Sequence, residues 1–343
     1  MTAAVSTTTT ATTAVIQVKP GIGDTIWHLP FVRAIAAAVP GGRVTFLAPP
    51  SSLASELLAA EPSIAEVVYF RHGGNEIQRG VNLFRLARLL RARRFRTIWI
   101  LDRTTRPAAA AWLAGIPERI GFGLTAQRFW LSTPGLDRRH FHKSPIGCLR
   151  ELMLIQNITL ESAEPALPIP AEARAAVDAR FGALPRPLLA LGIGASHPSK
   201  DWPDGHWRAL LLLLVERFSG SVVLIGGSAW RERAGRLIAE SGNRASNACD
   251  LPVIESAALL VRADLYVGPD SGPLNLAAAV GTEAYGLFGL TPPLDYSRFI
   301  HVVRADDSEV PTPMDQITPA RLMAVLAPKL EALAARITPP SWP

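Results

Sequence analysis

Short apolar runs of strand character alternate along this chain with longer stretches of helical periodicity, and the alternation runs through two successive series. In the first half, strand patterns fall near residues 14–18, 43–48, 66–70 and 97–101, and helical patterns near 28–39, 51–60, 80–92 and 106–114. Residues 142–157 read as a further helix. The second series opens at Leu188-Leu189-Ala190-Leu191-Gly192, continues with a helix over 205–217, and has strand patterns at Ser221–Ile225, Leu265–Val267 and Ala284–Phe288. Strands separated by helices predict parallel sheets, because a parallel pair needs a crossover and the crossover is usually a helix. The expected fold class is therefore α/β: two Rossmann-like domains with parallel sheets facing an interdomain cleft. The boundaries read as 14–165 for the first domain, 166–187 for a linker and 188–320 for the second domain. A C-terminal helix and tail follow over 321–343, with packing back on the first domain as one option. Glu164-Pro165-Ala166-Leu167-Pro168-Ile169-Pro170 reads as extended chain crossing between the two.

Composition narrows the class. The 343 residues are 48% apolar, as in a globular chain. The Thr/Ala-rich stretch Thr7–Thr13 has neither a charged start nor a continuous apolar core, so it reads as an extension and not as a secretory signal. The strongest apolar run, Ala209–Val215, is too short to cross a bilayer and reads as a buried helix. With only Cys148 and Cys249, neither a disulfide scaffold nor a cysteine-rich metal site is expected, and a reducing cytoplasm fits. The formal charge of +6 is unevenly spread: residues 1–170 hold 19 Lys/Arg against 11 Asp/Glu, and the remainder hold 16 against 18. A basic first half suits an anionic saccharide or a membrane surface. Nucleic acid fits poorly, since no zinc finger and no stacking array of aromatics accompanies the arginines.

The richest stretch is Gly21-Ile22-Gly23-Asp24-Thr25-Ile26-Trp27-His28-Leu29-Pro30, which joins a strand pattern to a helical one. Open α/β sheets carry their chemistry at that edge, so Asp24 is a candidate general base as well as an ordinary helix-start carboxylate. In the second half, Val267-Gly268-Pro269-Asp270-Ser271-Gly272-Pro273-Leu274-Asn275 repeats the arrangement, with Ser271 at the cap position. Gly272 permits close approach, and unpaired N–H groups at a helix start suit a diphosphate. Asp270 is read as an organiser of that loop. Gly192-Ile193-Gly194 is a further glycine-rich strand exit, leading to Lys200, a candidate phosphate clamp. Thr291, after Phe288-Gly289, and Glu232, after Gly226-Gly227, complete the set as candidates for phosphate and ribose hydroxyls.

These pieces together resemble glycosyltransferase family 9, the lipopolysaccharide heptosyltransferases. The matching residues are Gly23-Asp24 with His28-Leu29-Pro30, Lys200-Asp201-Trp202-Pro203 through Trp207, Asp270-Ser271-Gly272-Pro273, and Phe288-Gly289 with Thr291-Pro292. The resemblance implies the GT-B architecture and a metal-independent, inverting transfer, typically from ADP-heptose, with no added cofactor. It implies that Asp24 is the catalytic base and that Lys200 binds and stabilises the donor phosphates. The donor set becomes Gly194, Lys200, Glu232, Asp270, Ser271, Gly272, Pro273, Asn275 and Thr291. The acceptor set, in the basic half, becomes Gly23, His28, Arg71, Arg94, Arg103 and Arg106. Where the family commonly has Asp-Thr-Gly followed by histidine, this chain has Ser271 and Asn275. The expected partners are a nucleotide-sugar donor and an anionic saccharide or glycolipid acceptor, with a peripheral contact at the cytoplasmic face of the inner membrane as an option. A sugar-nucleotide epimerase and a non-catalytic nucleotide-sugar-binding protein remain as alternatives.

Overall fold

The computed structural model describes residues 12–293, 296–308 and 310–335. The Thr-rich stretch read as an extension lies almost wholly outside them, as does the last part of the C-terminal tail. The chain divides into two compact units between Ala163 and Glu164.

In the first unit, β1 (Thr13–Ile16), β2 (Val44–Ala48), β3 (Ile64–Tyr69), β4 (Thr97–Ile100) and β5 (Glu118–Gly121) form one parallel sheet in the order β3-β2-β1-β4-β5. Its helices are α1 (Ile22–Ala37), α2 (Ala54–Leu57), α3 (Glu76–Arg93), α4 (Thr105–Ala114) and α5 (Pro145–Ile155). All four residues of β1 are buried, because helices cover both faces of a parallel sheet. Ala14 and Ile16 of β1 and Ile98 and Ile100 of β4 pack with Leu86 and Leu90 of α3 and with Ala108 and Ala111 of α4. α3 starts where Asn75 and Gln78 exchange side-chain to backbone hydrogen bonds at 2.9 and 3.0 Å, a reciprocal cap.

The second unit contains β6 (Leu188–Gly192), β7 (Ser221–Ile225), β8 (Ala245–Asn247), β9 (Leu265–Pro269), β10 (Ala284–Leu287) and β11 (Ile300–Val303), all parallel in the order β11-β10-β9-β6-β7-β8. Around them lie α6 (Ala171–Phe181), α7 (Asp204–Arg217), α8 (Arg231–Glu240), α9 (Val253–Arg262), α10 (Gly272–Ala279) and α11 (Pro319–Ala335). The segment read as a linker over 166–187 is part of this unit: it contains α6, which packs on α9, and Leu167 N–H donates to Ala279 O at 2.8 Å. α11 belongs here too. Its Leu322, Leu326 and Leu330 join the same core as Trp202, Trp207 and Leu210, so the described helix packs on α7. The Ala209–Val215 run is amphipathic: Leu210, Leu211 and Leu214 are buried, while Leu212 and Val215 face solvent. Among the described residues, no helix is long and apolar enough to cross a membrane.

One packing detail fixes the exits of two strands. Tyr266 of β9 is fully buried, and its hydroxyl fills the space beside Gly192 and Gly268. A Cβ at Gly192 would lie 1.9 Å from that oxygen, and one at Gly268 2.2 Å. Burial pushes the phenol pKa well up, so the ring stays neutral. Gly192→Ala should therefore cost about 1–3 kcal/mol through overpacking. Tyr266→Phe, which removes the nearest atom, should recover part of that loss, a coupling measurable as a double-mutant cycle in urea denaturation.

Candidate functional site

In a parallel sheet, the crossovers leave in opposite directions from the two strands at which the order reverses, and a crevice opens outside their C-terminal ends. The strand orders put this point between β1 and β4 in the first unit and between β6 and β9 in the second.

In the first unit, the chain leaves β1 through Gln17–Gly21 and enters α1, whose first turn carries Asp24. Its Oδ2 accepts the Gly21 N–H at 3.2 Å, and Lys19 Nζ lies 3.8 Å from Oδ1. A Cβ at Gly21 would meet Oδ2 at 2.7 Å, so a larger residue there would push the carboxylate aside. The Asp24 side chain keeps 23% of its surface exposed, and Lys19 leans over the Trp27 ring at 5.3 Å. On the β4 side stands Asp102, only 7% exposed. Its Oδ1 accepts from Thr104 N at 2.7 Å and Thr104 Oγ1 at 2.6 Å, while Oδ2 is buried without a partner among the described residues. Burial raises the Asp102 pKa, and the Thr104 bonds and the charges of His72 and Lys19 oppose that rise. Beside β3, a cavity of 720 Å³ is lined by Val18, Pro49, Arg71, His72, Ile77 and Arg85, among others.

In the second unit, the corresponding point holds an ion pair. Lys200, in a short 3₁₀ turn after β6, places Nζ 2.5 Å from Asp270 Oδ2, just beyond β9. Both side chains are about a quarter exposed, at 26% and 25%. Thr291 Oγ1 donates to the same carboxylate oxygen at 3.4 Å, so Asp270 gathers groups from two other loops. The Lys200 loop is held from beneath. Arg233 donates to Asp201 at 2.8 and 2.9 Å, to Asp204 at 2.6 Å, to Ile193 O at 3.1 Å and to Trp202 O at 2.8 Å. Trp202, fully buried, donates its indole N–H to Ile317 O at 2.7 Å and meets Trp207 edge to face at 4.8 Å. Next to the pair, α10 opens at Gly272. Among the described residues, no group of three or more His, Cys, Asp or Glu side chains is placed to hold a metal ion.

The family model of glycosyltransferase family 9 (heptosyltransferase) matches residues 83–305, most of the chain and parts of both units. The chain belongs to glycosyltransferase family 9. Lipopolysaccharide heptosyltransferase 2 of Salmonella typhimurium is 26% identical over 338 residues, covering 89% of this chain and 94% of that protein. Among solved structures, the glycosyltransferase family 9 protein of Veillonella parvula superposes with a TM-score of 0.76 at 17% identity, covering 93% of this chain and 97% of the other. The ADP-heptose lipopolysaccharide heptosyltransferase II of E. coli superposes at 0.71 and 22% identity, covering 93% and 98%. The two parallel-sheet units are the Rossmann-like pair of the GT-B fold shared with these proteins.

Against this family-9 framework, the expected residues separate by position. Asp24 and Gly23 lie in the first turn of α1, at the switch point, and Lys200, Asp270, Ser271, Gly272, Pro273 and Thr291 gather at the other. Ser271 occupies the cap position but makes no cap bond; its hydroxyl is buried. Asn275 is not open to a ligand. Nδ2 donates to Ser271 O at 2.7 Å and Oδ1 accepts the Tyr296 hydroxyl, so the amide braces the turn. Gly194 does permit a close approach, but the chain's own Trp230 indole takes it, lying 2.3 Å from where a Cβ would sit. Glu232 stands exposed on the first turn of α8.

On the acceptor side, Arg71 lines the cavity, while Arg103 is engaged with Lys143 O at 2.8 Å and the Phe141 ring at 5.2 Å. Arg106 pairs with Glu76 at 3.5 Å. Arg94 terminates α3 with φ +54 just before β4, which puts it at the opposite, N-terminal edge of the sheet, away from Asp24. His28 is sealed, at 0% exposure, so it is a framework residue and not an acceptor contact. Its Nδ1 faces Asp24 O at 2.6 Å and its Nε2 faces Leu101 O at 3.2 Å, joining the Asp24 turn to the end of β4. Asp102 was missed: its one sequence signal is a carboxylate directly after the fourth strand pattern.

Burial lowers the His28 pKa from 6.5 to about 4, although both carbonyls favour the charged ring. The unfolded chain binds this proton near 6.5 and the folded chain only near 4, so the contribution is whole above 6.5 and is lost as pH falls between those values. The loss amounts to about 3 kcal/mol when complete. Asp102, with its raised pKa, acts in the opposite sense, so the test is a difference. Urea denaturation at pH 7.5 and pH 4.5 should show a shallower acid decline for His28→Gln than for the parent.

Proposed function

We propose that this protein is an inverting, metal-independent transferase that moves a heptose from ADP-heptose to a hydroxyl of an anionic glycan or glycolipid. Family membership supports sugar transfer, and the names of the similar proteins, lipopolysaccharide heptosyltransferase 2 and ADP-heptose lipopolysaccharide heptosyltransferase II, support the donor and the acceptor class. The observation that carries the reading is the Lys200–Asp270 pair beside the start of α10, which offers an exchangeable cation and backbone donors to a diphosphate.

In this mechanism, Asp24 takes the proton of the acceptor hydroxyl, and the oxygen forms a bond to the anomeric carbon of the donor. The bond from that carbon to the diphosphate oxygen breaks on the opposite face, which inverts the configuration. Lys200 exchanges Asp270 for the departing diphosphate and offsets its growing charge, while Thr291 keeps hold of Asp270. Arg71 and Arg85, at the cavity beside β3, supply positive charge for an anionic acceptor.

Asp24→Asn should lower kcat about 10²–10⁴-fold with donor affinity retained. Lys200→Ala should lower it about 10²–10³-fold. Gly21→Ala, which displaces the Asp24 carboxylate without removing it, should cost up to about 10²-fold. ADP release from ADP-heptose in the presence of glycan acceptors reads all three, and chelation with EDTA should leave the rate unchanged. Undiminished turnover in Asp24→Asn refutes the base role. Conversion of the donor sugar without any acceptor product would identify an epimerase instead.

A further inference from the structure

α10 starts without the side-chain bond that its sequence provides for. Ser271 stands at the cap position with the extended backbone of a cap residue, φ −148° and ψ 179°, yet its side chain accepts no N–H of the first turn. Pro273 has no N–H, so the amide that a serine cap would take is that of Leu274. The Ser271 carbonyl is fixed independently, since it accepts Asn275 N–H at 3.4 Å and Asn275 Nδ2 at 2.7 Å. Backbone placement thus permits the cap, and the rotamer of the hydroxyl withholds it. The neighbour that accounts for this is Tyr266, whose hydroxyl fills the space beside Gly192 and Gly268. Both hydroxyls are buried, and neither has a partner within hydrogen-bonding geometry among the described residues. Ser271 nonetheless acts on the phenol: burial raises the Tyr266 pKa, the Ser271 hydroxyl opposes the rise, and the Asp270 charge adds to it. Two buried, otherwise unsatisfied hydroxyls gain most by turning to each other. A phenylalanine at 266 would keep the ring but offer Ser271 no such partner, and the serine would turn to the cap.

We propose that Tyr266 is a positioning residue for the donor: its hydroxyl holds the Ser271 hydroxyl inside the fold, so that the Leu274 N–H stays free for the diphosphate. The inference rests on the reading that a diphosphate meets the start of α10, and it adds what keeps a backbone donor there unoccupied. Calorimetry with ADP on the full-length protein reads affinity, and amide exchange followed by NMR reads Leu274 without any ligand. Tyr266→Phe should bind ADP about tenfold more weakly and slow Leu274 exchange about fivefold, because the released serine caps that amide. Ser271→Ala should keep the parent affinity. Tyr266→Phe combined with Ser271→Ala should regain it, a rescue that a packing defect at position 266 would not show. Unchanged ADP affinity and Leu274 exchange in Tyr266→Phe overturn the proposal, as does a double variant no tighter than Tyr266→Phe alone. So does a tenfold loss in Ser271→Ala, which would make that hydroxyl a direct ligand contact. A parent that does not bind ADP refutes the diphosphate reading alone, because Leu274 exchange in Tyr266→Phe still decides where the Ser271 hydroxyl is held.

Discussion

A parallel sheet whose strand order reverses leaves two neighbouring strand ends uncovered by their own crossovers, and the candidate site residues of this protein are arranged around that constraint. It operates once in each unit. In the second unit, the loop after β6 brings Lys200 and the loop after β9 brings Asp270, and a 2.5 Å ion pair closes the gap between them. In the first, the loop after β1 brings Asp24 and the end of β4 brings Asp102, with Lys19 near Asp24 and acting electrostatically on Asp102. Tyr266 and the glycines beside it belong to the same constraint, since a bulkier strand exit at Gly192 or Gly268 would force the two loops apart.

Residues adjacent in sequence in these loops do different work. In Lys200-Asp201-Trp202-Pro203, Lys200 reaches across to the β9 exit and pairs with Asp270. Asp201 is tied to Arg233, and Trp202 is core. An arginine 9% exposed at its side chain, satisfied by two carboxylates and two carbonyls, is costly to disrupt, because each partner would be left without its bond. Rigid support beneath the loop is the arrangement that a precisely held charge requires.

The sequence was most legible where both faces of a strand are buried. β1, β2, β4, β6 and β7 lie within about two residues of their apolar runs, because a strand covered on both sides cannot conceal its pattern. β5 escaped notice because it is four residues long and carries Glu118 and Arg119 at a sheet edge. α6 was hidden in an apparent linker because its buried face is only Ala173, Val177 and Phe181. At the sites, motif order located the strand exits but not which way each side chain turns. His28 and Asn275 look like ligand contacts in sequence and are braces in the structure. A charge count grouped Arg94 with Arg71, although one stands before a strand and the other after one, at opposite edges of the same sheet.

The hydrogen bond from Trp202 to Ile317 gives the C-terminal region a role beyond completing the unit. It connects the floor of the Lys200 loop to the stretch that enters α11, whose leucines share the core of Trp202 and Trp207. Shortening the chain to any point before Ile317 would withdraw that acceptor and the apolar layer together. The loop that carries Lys200 would then stand on a tryptophan with neither its carbonyl partner nor the leucines it packs against.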